Sequence, residues 1–309
     1  MNEFELIQNY FNWPLTDPTV ELGIGDDAAI FNLDSRYQLV TSTDTLSEGV
    51  HFFKDDFPEN IAYKSLAVNL SDIAAMGAIA KYFTLAITLP KLDEIWLKKF
   101  SESLKETSSK YNVSLIGGDT TKGPLSITIT MMGVVEKLKA IKRSGAKNGD
   151  SIYVSGEIGD AALCLKKIHE KEKPNKSEMS KLNRPIPRLE IGLALRGIAS
   201  SCIDISDGLE QDLSHIIKSS KVGATIDIQR IPLSQSMDKY IKGNDDWSLP
   251  LCGGDDYELC FTAPKTEEGN LKEISKSCGV KITKIGVIDN SKRLNILGFK
   301  GFLESYQHF

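Results

Sequence analysis

Apolar positions recur along the chain with two different periods. Phe4, Ile7, Tyr10 and Phe11 form one stripe and predict an opening helix. Strand-like runs follow at 28–32 and 37–43. Residues 59–79 are almost wholly apolar at helical length, which predicts a buried helix. KYFTLAITL predicts a strand, 93–111 an amphipathic helix, and VSLIGG and LSITITMMGVV two more strands. The chain turns polar and Gly-bearing at 138–150 (KAIKRSGAKNGD), as a domain boundary would. Strands and helices then alternate again: SIYVSG, a helix at 159–170, a helix at 188–199, CIDIS, a helix at 209–220, VGATIDI, ELCFTA and KITKIGVI. Between them, KEKPNKSEMSKLNRPIPR is charged and Pro-bearing and predicts a loop. The pattern implies two mixed α/β (α+β) domains, 1–137 and 148–309.

Composition narrows the function. With 309 residues, 41% hydrophobic, the chain can build two ordinary cores. The net charge of -5 leaves no basic footprint for nucleic acid. No apolar run reaches membrane-spanning length, and MNEFELIQNYF lacks a signal-peptide layout. The five cysteines are odd in number, lie in the second half and include no C-x-x-C. They read as buried thiols of a cytoplasmic protein.

Carboxylates change the picture most. GIGDDAA (Asp26, Asp27), STDT (Asp44), NLSDIAAMG (Asp72), IGGDTT (Asp119), IDISDG (Asp204, Asp207) and CGGDDYEL (Asp255, Asp256) set Asp among Gly and small residues where apolar runs end. Each taken singly reads as a turn or a helix cap. Taken together they exceed what loops require. Glycine admits a close ligand, and carboxylate oxygens suit Mg²⁺, which completes its shell with phosphate oxygens. Asp72 is the sharpest case, because it interrupts the apolar AVNLSDIAAMGA, where an uncompensated charge is costly. Lys142, Arg143 and Lys147, and Arg184 and Arg188 in RPIPR, read either as solvated surface charge or as phosphate clamps. GIGDDA matches G-x-G-x-x-[GA] only formally, since two carboxylates stand where a pyrophosphate would lie and a strand-like run follows. No Walker A motif is present.

The ordered set ELGIGDDAA, STDTL with GVHF, AVNLSDIAAMGA, LIGGDTTKGPL, RSGAKNGD, IDISDGL and GGDDYELCF resembles thiamine-monophosphate kinases, over nearly the whole chain. These belong to the wider superfamily of aminoimidazole ribonucleotide synthetase. The resemblance implies the two-domain fold of that superfamily, with N-terminal domains of a homodimer joining strands into an inter-subunit β-barrel. It implies transfer of the ATP γ-phosphoryl group to thiamine monophosphate, in line and assisted by several Mg²⁺. It puts metal ligation on Asp27, Ser42, Thr43, Asp44, Asp72, Asp119, Asp204 and Asp207. ATP contacts fall on Gly118, Asp119, Arg143 and Ser206, and substrate contacts on His51, Asp255 and a C-terminal aromatic, Phe302 or Tyr306. Asp44, Asp72, Asp119 and Arg143 would carry the chemistry. Departures exist: Asp255 stands where the family often has Glu, and a tyrosine common at the ATP site is replaced near Ser101. Two other readings remain open at this point. One is a cyclase of the same superfamily acting on a formylglycinamidine. The other is a cation-dependent nucleotide-binding protein without catalysis. Selenophosphate synthesis fits poorly, because no Cys precedes Cys164.

Overall fold

The computed structural model describes residues 3–14, 17–22, 24 and 30–299. It divides into two compact units, Met1–Ile73 with Ala78–Leu138, and Ala74–Gly77 with Lys139–Phe309.

In the first unit the order is α1 (Glu3–Tyr10), β1 (Val20–Leu22), β2 (Ile30–Phe31), β3 (Tyr37–Ser47), α2 (Pro58–Ala75), β4 (Ile79–Leu89), α3 (Glu94–Lys110), β5 (Ser114–Lys122) and β6 (Ser126–Glu136). β1 and β2 pair with each other. The other four strands form one sheet in the order β3-β6-β4-β5, antiparallel except for the parallel pair β4–β5. One face of this sheet is apolar: Phe83, Ile87, Ile127, Ile129 and Met131 are fully buried. α2 begins on Pro58, whose fixed φ suits a first helical position. Its Leu66, Leu70 and Ile73 are fully buried, as are Leu97, Phe100 and Leu104 of α3. The Ser103 hydroxyl donates to the Glu59 carbonyl (2.7 Å), tying α3 to α2. On the opposite face threonines meet rung by rung, Thr43 with Thr130 (2.9 Å) and Thr45 with Thr128 (2.8 Å).

The STDT stretch therefore does not end a strand. β3 continues through it to Ser47, and β5 likewise runs through Gly118 and Asp119 to Lys122. Thr43 and Thr45 oppose hydroxyl partners across the sheet, so residues that favour turns in isolation are held in a ladder.

The second unit holds β7 (Ser151–Ser155), α4 (Asp160–His169), α5 (Lys176–Asn183), α6 (Leu189–Ala194), β8 (Ser201–Asp204), α7 (Leu209–Ser220), β9 (Gly223–Asp227), α8 (Gln235–Asn244), α9 (Ser248–Cys252), β10 (Leu259–Ala263), α10 (Glu268–Cys278), β11 (Ile282–Asp289) and β12 (Leu294–Leu297). Its sheet runs β12-β9-β11-β7-β10-β8, antiparallel except β12–β9. β7 and β10 are buried at every residue. Ile152 and Val154 enter one core with Leu213 and Ile216 of α7, while Tyr153 and Phe261 enter another with Leu271 and Ile274 of α10. Helices thus cover both faces, which is why these strands read as continuous apolar runs.

The charged 171–188 stretch is not wholly a loop. Asn175 and Glu178 form a reciprocal capping box that starts α5, and Leu182 and Met179 pack against Cys164 and Ala161. The Asn-x-x-Glu signal was present, but it was outweighed by the prolines and lysines around it. Among the described residues no helix is long and apolar enough to cross a membrane.

Candidate active site

The pleat of β3 sorts the STDT oxygens. Ser42 and Asp44 point to the α2 side, and Thr41, Thr43 and Thr45 to the other. Four residues earlier in its helix than Ile73, Asn69 is fully buried and accepts the Asp44 amide through Oδ1 (3.2 Å), while its Nδ2 donates to the Ser65 carbonyl (3.0 Å). One turn on, the Asp72 carboxylate accepts the Ser42 hydroxyl at 2.5 Å. Two carboxylates from distant segments, Asp44 and Asp72, thereby share one locality. Burial, then the charge and hydrogen bonding of Asp72, pushes the Asp44 carboxyl up to about 7. Every influence on Asp44 opposes its ionised form.

Asp119 and Gly118 reach the same sheet from its far edge. Asp44, Ile129, Leu85 and Gly118 occupy one row, and Thr45, Thr128, Ala86 and Asp119 the next. Within this sheet Asp119 consequently lies on the face opposite Asp44. A Cβ at Gly118 would overlap the Leu85 carbonyl, so that close approach requires glycine. Thr43 bonds Thr130 through its hydroxyl, so its main chain is what it can offer on the Asp44 side.

His51 sits in the turn after β3. Its Nδ1 accepts the Ser47 amide at 3.0 Å, which makes Nε2 the protonated nitrogen of the neutral ring. Lys64 Nζ donates to the His51 carbonyl at 3.3 Å.

In the second unit, two of the acidic motifs are laced together. β8 carries the buried Asp204 opposite Leu259 of β10. Beyond it, the Asp255 amide donates to Ser206 O (2.9 Å) and the Tyr257 amide to Ile205 O (2.8 Å). Asp255 and Tyr257 both take left-handed backbone conformations (φ 69 and 51). The Tyr257 hydroxyl donates to Asp255 Oδ1 at 3.0 Å. A Cβ at Gly254 would overlap Ser206 O, which explains the glycine before the two aspartates. Arg143 is exposed on a turn built around Ser220. The Ser220 hydroxyl accepts the Gly145 and Ala146 amides (3.1 Å each) and donates to Arg143 O (3.2 Å). Arg143 is also close enough to α7 to act electrostatically on Asp212 and His215. Burial raises the Asp212 carboxyl to about 7 against this charge, and burial with Arg143 lowers the His215 imidazole.

The expected metal-ligand set therefore divides. Ser42, Asp44 and Asp72 meet, Thr43 and Asp119 lie on the other face of the same sheet, Asp204 and Asp207 belong to the second unit, and Asp27 lies outside the described residues. Phe302 and Tyr306 lie outside them too. Among the described residues no three His, Cys, Asp or Glu side chains gather tightly enough to hold a metal unaided. A carboxylate pair in which Asp72 raises the proton affinity of Asp44 still suits Mg²⁺, which takes one or two carboxylates and fills its shell from water and phosphate. Arg188 is corrected as a candidate phosphate clamp: its guanidinium forks onto the buried Glu258, Nε to Oε2 at 2.7 Å and the second nitrogen to Oε1. Sequence reasoning missed Asn69, Asp212 and Glu258. Asn69 interrupts the apolar LAVNL, which was the available signal, whereas Asp212 in LEQDLSH and Glu258 in DDYEL stand among other polar residues and gave none.

Comparison with known proteins decides the family. Residues 25–135 match the AIR synthase related protein N-terminal domain and 147–298 its C-terminal domain. The thiamine-monophosphate kinase of Haemophilus influenzae is 48% identical over 295 residues, 94% of this chain and 90% of that one. The chain belongs to the thiamine-monophosphate kinase family. Its relative of that name in Escherichia coli K12 is 46% identical over 92% of this chain and 89% of its own. Among solved structures, thiamine-monophosphate kinase from Stenotrophomonas maltophilia K279a superposes with TM-score 0.87 at 40% identity, covering 91% of this chain and 92% of that one. AaThiL complexed with AMPPCP and TMP superposes with TM-score 0.80 at 29% identity, covering 93% and 92%.

Proposed function

We propose that the protein transfers the γ-phosphoryl group of ATP to thiamine monophosphate, giving thiamine diphosphate and ADP. The observation that carries this reading is the Ser42–Asp44–Asp72 locality, built from two of the motifs that the chain shares with the kinase family. The family's complex with AMPPCP, a β,γ-methylene analogue of ATP, and TMP supports both substrates.

Ser42, Asp44 and Asp72 hold Mg²⁺ in this reading, with Asp27, Asp119, Asp204, Asp207 and the main chain of Thr43 as further ligands. Bound Mg²⁺ would supply positive charge that offsets the repulsion between the triphosphate of ATP and the acceptor monophosphate. Asp44 and Asp72 concentrate the negative charge that recruits it. Gly118, Asp119, Arg143 and Ser206 contact ATP, with Arg143 donating to phosphate oxygens in a fork. His51, Asp255 and Phe302 or Tyr306 meet the thiamine side. The acceptor oxygen belongs to an ionised phosphate, so the residues need orient it without removing a proton, and transfer is direct.

The protein acts as a homodimer whose N-terminal sheets join across the interface into a barrel. Support comes from β3, which among the described residues pairs with β6 alone and so stands at an edge of its four-stranded sheet, with Leu39, Thr41, Thr43 and Thr45 exposed along it. Use of ATP as co-substrate supports a cytoplasmic location.

Purified protein incubated with ATP, Mg²⁺ and thiamine monophosphate should form thiamine diphosphate and ADP in equal amounts, and chiral γ-phosphate ATP should give inversion at phosphorus. ATP turnover only with a formylglycinamidine ribonucleotide would overturn the reading in favour of the cyclase. Net retention would remove the direct transfer.

A further inference from the structure

The turn between β8 and α7 carries Ser206 and Asp207, and the peptide groups of Ile205 and Ser206 and the Asp207 amide are committed within the second unit. The Ile205 amide donates to Glu258 O (2.8 Å), and Ser206 O accepts the Asp255 amide (2.9 Å). The two amides left in the middle, those of Ser206 and Asp207, both donate to one atom, Asp212 Oδ2, at 2.9 and 3.1 Å. Asp212 is 2% exposed and its own amide donates to Gly208 O (3.0 Å), closing the first turn of α7 over the loop. Gln211 Nε2 then donates to Asp207 Oδ2 (2.9 Å) and fixes that carboxylate from the neighbouring helical position.

Successive N–H groups directed at one point form an anion-binding concavity. Here the anion is the chain's own carboxylate. The Ser206 and Asp207 amides are thereby withheld from phosphate, and the two residues present their side chains only. Resting on the kinase reading for the identity of the ligand, we propose that Asp212 is the positioning residue of the nucleotide half of the site, holding Ser206 and Asp207 in the orientation that meets Mg²⁺–ATP. It does not itself touch the nucleotide. Arg143, whose charge acts on Asp212, belongs to the same ligand in this reading.

The proposal separates nucleotide from acceptor. Asp212→Asn keeps one acceptor oxygen and the side-chain shape but loses the charge that holds two amides. It should weaken binding of AMPPCP with Mg²⁺ about tenfold, the size of one charge-assisted hydrogen bond. The KM for ATP and the Mg²⁺ concentration needed for half activity should rise together, while the KM for thiamine monophosphate stays within about twofold of wild type. Asp212→Ala should exceed it in the same direction. Binding is read by calorimetry on the full chain, folding by circular dichroism and thermal melting. Calorimetry makes the test independent of turnover: wild type that binds AMPPCP yet forms no thiamine diphosphate breaks the kinase reading and leaves this one intact. Unchanged AMPPCP affinity in Asp212→Asn, an equal rise of both KM values, or unfolding of that variant would overturn the positioning role.

Discussion

The two units bury carboxylates in opposite ways. In the second, Glu258 is 2% exposed and fully furnished: Arg188 forks onto it and the Ser155 hydroxyl donates at 2.6 Å. Burial raises its pKa, and Arg188 works against the rise. In the first, burial and Asp72 act on Asp44 in the same direction, against its charge. A carboxylate whose counter-charge is built in belongs to the fold. A carboxylate that burial and a like charge both disfavour, as at Asp44, suits the cation of the proposed kinase reading. Arg188, which from sequence could be either surface charge or a phosphate clamp, is neither, because it forks onto Glu258, whereas Arg143 stays exposed on its turn.

The comparison can be broken most forcefully at Asp44. Asp44→Asn keeps the shape and removes the charge, and turnover at saturating Mg²⁺ should fall on the order of a thousandfold, about 4 kcal/mol of barrier. Steady-state kinetics of the variant checks this, and near-wild-type kcat would make the pair structural. At Glu258 the expected loss is of stability. Arg188→Met leaves a buried carboxylate without its partner and should cost about 3 kcal/mol or more by urea denaturation, while Arg188→Met with Glu258→Gln should recover most of it. If the single variant is as stable as wild type, the fork contributes nothing.

A smaller effect sharpens the contrast through pH. The folded Asp44 carboxyl holds its proton up to about 7, above the ordinary carboxylate value of 3.8 that applies to the unfolded chain. Folding is therefore unpenalised below the lower value. The metal-free protein loses stability as pH climbs from about 4 to about 7 and is level beyond. Asp44→Asn should match wild type at pH 4 and exceed it at pH 8 by on the order of 2 kcal/mol, in the presence of a chelator. Added Mg²⁺ should stabilise wild type and leave the variant nearly unmoved. The smallest effect lies outside both carboxylate sites. Asn175→Ala removes the α5 capping box and should cost about 1 kcal/mol without altering turnover. A change in KM there would show that α5 takes part in the site.

Much of this was legible before any fold was known. Linear order and spacing of the Gly–Asp motifs carry the family, and the apolar interruption at Asp72 marked the carboxylate that does meet a partner. SIYVSG and ELCFTA were legible as strands, and they form β7 and β10. Strand ends were misplaced at STDT and IGGDTT, since Ser, Thr, Gly and Asp favour turns unless a neighbouring strand supplies the rungs. α5 was hidden for a related reason: its capping box is local, but the apolar contacts of Met179 and Leu182 that reward helix formation are with α4.

What the sequence determined by itself was which side chains are available: hard oxygens at fixed intervals, an arginine in a glycine-bearing turn, and apolar runs sufficient to bury strands. The tertiary structure decided which of them act together. A pleat of period two sends Ser42 and Asp44 toward α2 and Thr43 toward Thr130, and the register through Ile129 and Leu85 puts Asp119 on the far face. Asn69 takes its meaning from Asp44, 25 residues away, and Glu258 from Arg188 and Ser155, 70 and 103 residues away. Local sequence cannot encode such pairings, because they exist only after two cores have packed and removed the water that would otherwise satisfy each group separately.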